Sequence, residues 1–337
     1  MNFAHGGDIK AFASQIGCSV DEVIDLSSNI NFLKPEINFD FNSLDISAYP
    51  SYDTLYDSIG KLYGIENSQI ELFNGGSSAI FSLFRLFNAT TVNIYSPAYL
   101  EYKKATTIIN CNINLINRFT ELHKEVSKDS LVVFVNPSTP EGSYYDIKLL
   151  MDSWIKKNCT IIIDESFLDF TNYISCIEYL KRYEKLYIFK SMTKFYSSAG
   201  IRLGIVVSNS NNIKKLKACE PLWKISQFDS NYIQQTLKDE NFIKVSKAIN
   251  VVNKEYLIKI MKDFKYIQHI ISSSANFILV QLKQIDAATF QELLKPYKIM
   301  VRDCSNFDFL DSSFVRIAVK SQKDLEVLAK SLEKIAL

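Results

Sequence analysis

The sequence has little arginine, no closely spaced cysteines and no long apolar run. Its six cysteines are scattered without Cys-x-x-Cys spacing, which argues against a zinc or other metal site and against a disulfide framework. No apolar stretch approaches the ~20 residues that a membrane-spanning helix needs. The net charge is +1 and no segment is densely basic, so neither nucleic acid nor a membrane is the expected partner. A small molecule is the expected ligand.

The composition is that of an ordinary globular protein. Hydrophobic residues make up 47% of the 337 positions and charged residues 22%, which suits a sizeable core. Residues 1–8 show no basic region followed by an apolar stretch, so no export signal is indicated. We therefore expect a soluble protein of the reducing cytoplasm.

Short apolar runs rich in β-branched residues alternate with longer segments of helical period. The runs are residues 91–95, 131–135, 160–163, 186–189 and 203–207. Runs that are apolar on both faces predict strands covered by helices on both sides, hence a mostly parallel sheet of the α/β class. Polar residues such as Asn136, Asp164 and Ser191 follow these runs, and in open α/β sheets ligands bind at the carboxyl ends of strands.

The C-terminal part of the chain predicts a smaller α+β domain. A Lys-rich helical stretch over 211–264 precedes strands at 275–280 and 314–319, a helix at 287–295 and a last helix at 322–337. We therefore expect an N-terminal arm in residues 1–45 that joins the small lobe, a large domain in 46–245 and a small domain in 246–337.

The segment from Ser191 to Arg202 carries the strongest chemical signal. A strand that delivers Ser191 and Lys194 to its end, with Arg202 eight residues further on, suits a lysine that forms a Schiff base beside a bound phosphate. This indicates pyridoxal 5'-phosphate (PLP). Ser-x-x-Lys also occurs in penicillin-recognising serine enzymes, but their Ser-Asp-Asn and Lys-Thr-Gly are missing here. A solvated surface lysine is the alternative that this segment alone leaves open.

Other segments supply the remaining parts of such a site. Residues 74–78, Asn-Gly-Gly-Ser-Ser, open a helical pattern, and free amides at a helix start favour a phosphate, although glycines before a helix often form only a turn. Asp164 could pair with a protonated pyridine nitrogen or cap a helix. Asn136 could bond a ring hydroxyl and Tyr99 could stack on the ring, although turn chemistry or core packing explains either alone.

Arginine usage points to anion recognition. Of 38 basic residues six are arginine, and three of these, Arg202, Arg302 and Arg316, lie in segments already singled out. The planar guanidinium binds carboxylate and phosphate through two hydrogen bonds. A solvated position is the alternative, most of all for Arg302.

Taken together, these residues resemble fold type I PLP enzymes, which have the aminotransferase class I/II fold, over nearly the whole chain. Within that group the best match is the L-threonine O-3-phosphate decarboxylase family, relatives of histidinol-phosphate aminotransferase. The segments that carry the resemblance are residues 5–8, 25–31, 49–50, 136–137, 164–169, 193–204 and 302–307. Departures are Asp8 where Asn is expected, Phe32 where Pro is expected, and residues 74–78 in place of a Gly-Asn-Gly pattern.

The resemblance implies a role for each candidate residue. Lys194 would be the Schiff-base lysine, Asp164 the pyridine partner, Asn136 the ring-hydroxyl partner and Tyr99 the stacking ring. The cofactor phosphate would be held by Gly75, Gly76, Ser77, Ser191 and Arg202, and by Tyr49 of a neighbouring subunit, which implies a homodimer with shared active sites. The substrate would be bound by His5, Asn31, Arg302 and Arg316.

The resemblance also indicates the reaction. Related aminotransferases have Tyr where this chain has Phe167, whereas the decarboxylase family has Phe. We therefore expect decarboxylation of O-phospho-L-serine or O-phospho-L-threonine; one methyl group separates the two, and the sequence does not locate the residue that contacts it. The alternatives are a histidinol-phosphate-type aminotransferase and a catalytically silent binding or regulatory module.

Overall fold

The computed structural model describes residues 6–336. The strands of this range are Ile24–Asp25 (β1), Ile70–Asn74 (β2), Thr91–Ser96 (β3), Asn112–Asn117 (β4), Leu131–Val135 (β5), Thr160–Asp164 (β6), Leu186–Ser191 (β7), Leu203–Val207 (β8), Ile267–Ile271 (β9), Phe277–Leu282 (β10), Ile299–Met300 (β11), Arg302–Asp303 (β12) and Phe314–Ala318 (β13). The α-helices are Ile9–Ile16 (α1), Asp53–Tyr63 (α2), Gly75–Leu86 (α3), Leu100–Ala105 (α4), Lys148–Lys156 (α5), Met192–Phe195 (α6), Ser210–Ala218 (α7), Gln227–Leu237 (α8), Glu240–Lys262 (α9), Ala287–Leu294 (α10) and Gln322–Ala336 (α11). None of these helices is long and apolar enough to span a membrane.

The large sheet of residues 6–336 has seven strands in the order β2-β8-β7-β6-β5-β3-β4. Strand β8 runs antiparallel to both of its neighbours, and the other pairings are parallel. The expected α/β fold with a mostly parallel sheet is therefore confirmed. The carboxyl ends of β3, β5, β6 and β7 consequently meet at one edge of the sheet.

Both faces of this sheet are covered, which explains why its central strand β5 is apolar throughout. Val132 and Phe134 of β5 pack into the core on one face, and Leu131 and Val133 pack into the core on the other. Successive side chains of a strand point to opposite faces, so a continuous apolar run is what a doubly covered strand requires.

A second, antiparallel sheet has the order β12-β13-β10-β9. Its apolar face packs against α9, α10 and α11, with Leu257, Phe290 and Leu328 in one core. Strand β1, from the N-terminal part of the chain, pairs in parallel with β11. Helix α9 joins the two cores, since Phe242 packs in the core of the large sheet and Met261 in that of the small one. The expected boundary after residue 245 falls inside this helix.

The helical stretch expected over 211–264 is three helices, α7, α8 and α9. Pro221 lies between α7 and α8, where its ring and missing N–H prevent a continuous helix. Ser226 and Asp239 then cap the next two helices, accepting hydrogen bonds from Asp229 N at 3.0 Å and Phe242 N at 2.9 Å. These local polar bonds compete with the continuous helix that the Lys-rich pattern indicated.

Candidate active site

A cavity of about 280 Å³ lies where the carboxyl ends of β6 and β7 face β12 and β13 of the small sheet. Most of the residues singled out in the sequence contribute to its wall. Those are Gly76, Ser77, Tyr99, Asp164, Phe167, Ser191, Lys194, Arg202, Arg302 and Arg316. The cavity is of a size for a small ligand.

Lys194 lies in the short helix α6, directly after β7. Burial, together with the positive charges of Arg316 and Arg202, lowers the pKa of its ammonium group to about 8 against the opposing effect of Asp164. A lysine of lowered pKa is deprotonated more readily and is then a nucleophile toward an aldehyde. Lys194 is therefore chemically suited to bind a carbonyl cofactor covalently.

Asp164 ends β6 and is buried beneath the cavity. Its Oδ1 accepts hydrogen bonds from Ser166 N at 2.9 Å and Ser166 Oγ at 2.5 Å, and its Oδ2 accepts one from Tyr102 Oη at 2.8 Å. Burial raises the pKa of the carboxyl, and the bonds from Ser166 and Tyr102 oppose that rise. A buried carboxylate held in this way is stabilised by a cationic group in the cavity.

The turn into α3 forms a cradle beside Arg202. Gly75 has a φ of 78°, a backbone conformation that favours glycine, and a Cβ there would lie 2.6 Å from Arg202 Nη2. A Cβ on Gly76 would lie 2.7 Å from the Phe189 ring. The cradle thus combines the N-terminus of a 12-residue helix with a guanidinium, which together favour a phosphate.

Hydroxyl groups surround this cradle. Ser77 Oγ and Tyr99 Oη lie 3.4 Å apart, and Ser191 Oγ and Thr193 Oγ1 lie 2.8 Å apart. All four residues line the cavity. The amine, the buried carboxylate and the glycine–arginine cradle are the set of groups that PLP needs.

Arg302 and Arg316 face each other across the antiparallel pair β12–β13. They are 4% and 7% exposed, and burial lowers the pKa of both, that of Arg316 to about 10. Arg316 donates hydrogen bonds to Thr139 Oγ1 at 3.2 Å and to Ser27 O at 2.9 Å, and its Nε is buried without a partner among residues 6–336. A buried cation of this kind is stabilised by an anionic ligand.

Two of the predicted contacts are not seen. Asn31 does not line the cavity, because its Nδ2 donates to Phe195 O and Ser246 Oγ, both at 2.9 Å. Its backbone N–H donates to Lys194 O at 3.0 Å, so it supports the lysine from behind. Asn136 does not line the cavity either. Its Oδ1 accepts a hydrogen bond from Tyr145 N at 2.9 Å, and its Nδ2 donates one to Tyr145 O at 3.0 Å. One amide hydrogen of Asn136 is left for a ligand.

Tyr49 lies away from the cavity. Tyr49 is 74% exposed and stacks on Trp223 with 4.1 Å between ring centroids, outside the cavity of its own chain. His5 lies outside the described residues.

Sequence reasoning missed several residues of the site. Asn29, Thr139, Thr193 and Phe307 line the cavity, and Tyr102 bonds Asp164. Tyr102 comes three positions after Tyr99, and residues three apart in a helical turn lie on the same face. This spacing could have indicated that Tyr102 also lies near the site. Asn29 lies two positions from Asn31 in an irregular segment, where no periodicity distinguishes them.

Comparison with known proteins places the chain in a family. The family model for aminotransferase class I and II matches residues 23–332. The chain is 30% identical, over 98% of its length, to the adenosylcobalamin biosynthesis bifunctional protein CobDQ of Leptospira interrogans, of which it spans 41%. It is 25% identical to the threonine-phosphate decarboxylase of Salmonella typhimurium, covering 99% of this chain and 97% of that protein.

Solved structures agree with this assignment. The histidinol-phosphate aminotransferase of Clostridium acetobutylicum superposes with a TM-score of 0.81 at 28% identity, covering 92% of this chain and 98% of that one. Family, fold and cavity therefore lead to one conclusion: the chain belongs to the aminotransferase class I and II family, and its cofactor is PLP.

Proposed function

We propose that the protein is a PLP-dependent decarboxylase of a phosphorylated hydroxy amino acid. It would convert O-phospho-L-serine to ethanolamine phosphate, or O-phospho-L-threonine to aminopropanol phosphate. The observation that carries this proposal is Arg316, a buried guanidinium that forms no ion pair within residues 6–336 and lines the same cavity as Lys194. A substrate phosphate would supply the missing negative charge.

The residues of the large sheet would hold the cofactor. Lys194 would bind it covalently, Asp164 would pair with its pyridine nitrogen, and Ser191 with Arg202 would bind its phosphate in the cradle at Gly75. When bound, PLP would supply an electron sink for the electrons of the substrate bond that breaks.

The two arginines would select which bond that is. Arg302 and Arg316 would bind the substrate phosphate at a distance from the reacting carbon, and this remote binding energy would orient the substrate so that its carboxylate, rather than the hydrogen on Cα, is the group that leaves. Lys194 Nζ would then deliver a proton to the substrate Cα after carbon dioxide has left.

Phe167 supports decarboxylation over transamination. Its ring lines the cavity and packs edge-on against Phe277, with 5.1 Å between ring centroids. A phenyl ring has no hydroxyl group that could donate a hydrogen bond to the cofactor's ring oxygen. Tyr makes that hydrogen bond in the related aminotransferases. The threonine-phosphate decarboxylase relative is consistent with this assignment.

Transamination is the second candidate. The 28% identity to a histidinol-phosphate aminotransferase favours it. Both reactions use a lysine, a buried carboxylate and a phosphate-binding arginine pair, so the fold alone does not separate them.

We also propose a homodimer with shared active sites. Tyr49 and Trp223 form an exposed stack, and Leu222 and Ile46, which are close to them in the sequence, are 74% and 85% exposed. Exposed apolar groups of this kind favour a protein partner. In such a dimer Tyr49 would reach the cofactor phosphate of the second subunit.

Product analysis tests the proposed reaction. The PLP-loaded protein would be incubated with O-phospho-L-serine, O-phospho-L-threonine or histidinol phosphate, each with and without 2-oxoglutarate. Phosphorus NMR and a keto-acid assay would identify the products, and a Lys194→Ala protein is the matched blank. Ethanolamine phosphate or aminopropanol phosphate without keto acid supports the proposal, whereas imidazole acetol phosphate with glutamate would establish the aminotransferase.

A further inference from the structure

The loop of residues 304–310, between β12 and β13, joins both sides of the cavity. Asn306 of this loop accepts a hydrogen bond at its Oδ1 from Arg302 Nη2 at 2.7 Å. Arg302 Nη1 donates a second hydrogen bond to Asp303 O at 2.5 Å. The guanidinium also lies over the Phe307 ring, 5.4 Å from its centroid. The loop therefore contacts Arg302 through both a hydrogen bond and an aromatic face.

The same loop is attached to the large-sheet side. Lys103 Nζ lies 2.6 Å from Asp308 Oδ1, and Lys103 belongs to α4, the helix that follows Tyr99. Leu100 at the start of α4 and Phe307 of the loop both line the cavity. This ion pair thus connects the two elements that form this part of the wall.

We propose that Asn306 is a positioning residue that aims the Arg302 guanidinium at the anionic group of the substrate, with the Lys103–Asp308 ion pair holding the 304–310 loop against α4. The inference rests on the proposed function, since it takes Arg302 as a ligand of the substrate phosphate.

The chemistry of the amide explains why asparagine serves here. Its Oδ1 accepts a hydrogen bond from the guanidinium, as a carboxylate would, but the amide adds no negative charge beside Arg302. A carboxylate at position 306 would form an ion pair with Arg302 and compete with a bound anion. A neutral acceptor therefore helps to fix the direction of the guanidinium without adding a negative charge that competes with the ligand.

The test measures inorganic phosphate binding to the PLP-loaded protein by calorimetry, so that it does not depend on which reaction is catalysed. Arg302→Gln defines the contribution of the guanidinium. Asn306→Ala is expected to weaken phosphate binding about 3- to 10-fold, the size of one lost hydrogen bond. Asn306→Asp keeps the shape of the side chain and a hydrogen-bond acceptor. It is expected to weaken phosphate binding at least as much as Asn306→Ala does. Ser305→Ala, whose contact to Asp303 is through the backbone N–H, is the matched control.

Double variants show whether Asn306 acts through Arg302. In the Arg302→Gln background, Asn306→Ala is expected to cause no additional loss of phosphate affinity. The Lys103–Asp308 pair is tested by exchange: Lys103→Asp should weaken phosphate binding about 2-fold at low salt, and adding Asp308→Lys should restore it.

The outcomes separate the two proposals. If Arg302→Gln leaves phosphate affinity unchanged, the phosphate-binding role of Arg302 in the proposed function is wrong. If Arg302→Gln weakens binding but Asn306→Asp binds phosphate as the unsubstituted protein does, the positioning role of Asn306 is wrong and the proposed function stands.

Discussion

Tyr102 donates a hydrogen bond of 2.8 Å to Asp164, and both side chains are buried. The bond places a phenol behind the carboxylate that we propose as the partner of the cofactor nitrogen. It opposes the rise in the Asp164 pKa that burial causes. Tyr102 therefore helps to keep Asp164 ionised.

Tyr102→Phe should accordingly weaken PLP binding about tenfold, because a buried carboxylate that loses a donor costs about 1–3 kcal/mol. The dissociation constant of PLP, measured on apoprotein, is the readout. Tyr187→Phe is the matched control, since Tyr187 is buried in the same sheet outside the cavity wall. Equal PLP affinity of the Tyr102→Phe and unsubstituted proteins would contradict the role of this bond.

Borohydride reduction should bleach the yellow PLP-loaded protein and fix the cofactor to Lys194. The reason is the position of this lysine at the end of β7, between Asp164 and the arginine cradle. Peptide mass spectrometry after reduction locates the modified lysine. Attachment to Lys190, whose ammonium is paired with Glu165 at 2.6 Å, would refute the assignment.

The stability of the apoprotein should depend on Lys194 and on pH. The folded-state pKa of Lys194 is about 8, below the ordinary value of 10.5, so the unfolded chain binds more protons between these two values. Lys194 therefore destabilises the folded apoprotein fully below pH 8, and this penalty disappears as the pH rises toward 10.5. Lys194→Met apoprotein should be more stable at pH 7, with a difference that shrinks across that window. Urea unfolding at a series of pH values measures it, and a constant difference would contradict the lowered pKa.

Arg316→Lys should lower kcat/KM about 10- to 100-fold although the charge is kept. An ammonium cannot make the paired hydrogen bonds of a guanidinium, which are worth about 1.5–3 kcal/mol when charged. Steady-state kinetics with the better of the two phosphoamino acids is the measurement. Arg85→Lys, at a side chain that is 59% exposed, is the control. A loss of the same size in both variants would rule out a specific role for Arg316.

Mixed dimers should recover activity if the sites are shared. A Lys194→Ala chain combined with a Tyr49→Phe chain forms hybrids in which one site carries both substitutions and the other carries neither. Activity above that of either parent, measured after mixing and re-isolation, is the expected result. Each parent taken alone through the same procedure is the control, and a mixture no more active than the parents would exclude a shared site.

Local pattern was enough to predict the sheet and the lysine. Residues 131–135 and 160–163 are apolar on both faces because both faces of the sheet are covered. A continuous apolar run of this kind can be recognised in the sequence without any periodicity. Ser191, Lys194 and Arg202 lie within one strand–helix–strand unit, so their spacing alone indicates a site. Strands β1, β2, β4, β9, β11 and β12 were not predicted; β4 alternates Asn with apolar residues at the sheet edge, where burial is incomplete.

The amino-acid sequence by itself determined the α/β fold, the strand ends that carry chemistry and the arginines suited to an anion. Tertiary structure decided which side chains meet. It placed Asn29 on the cavity wall and turned Asn31 behind Lys194, and it brought Thr139 to Arg316 across 177 positions of sequence. Strand pairing and loop packing bring distant residues together at a separation of a few ångströms, and no local periodicity records which of two neighbouring amides finds a buried partner.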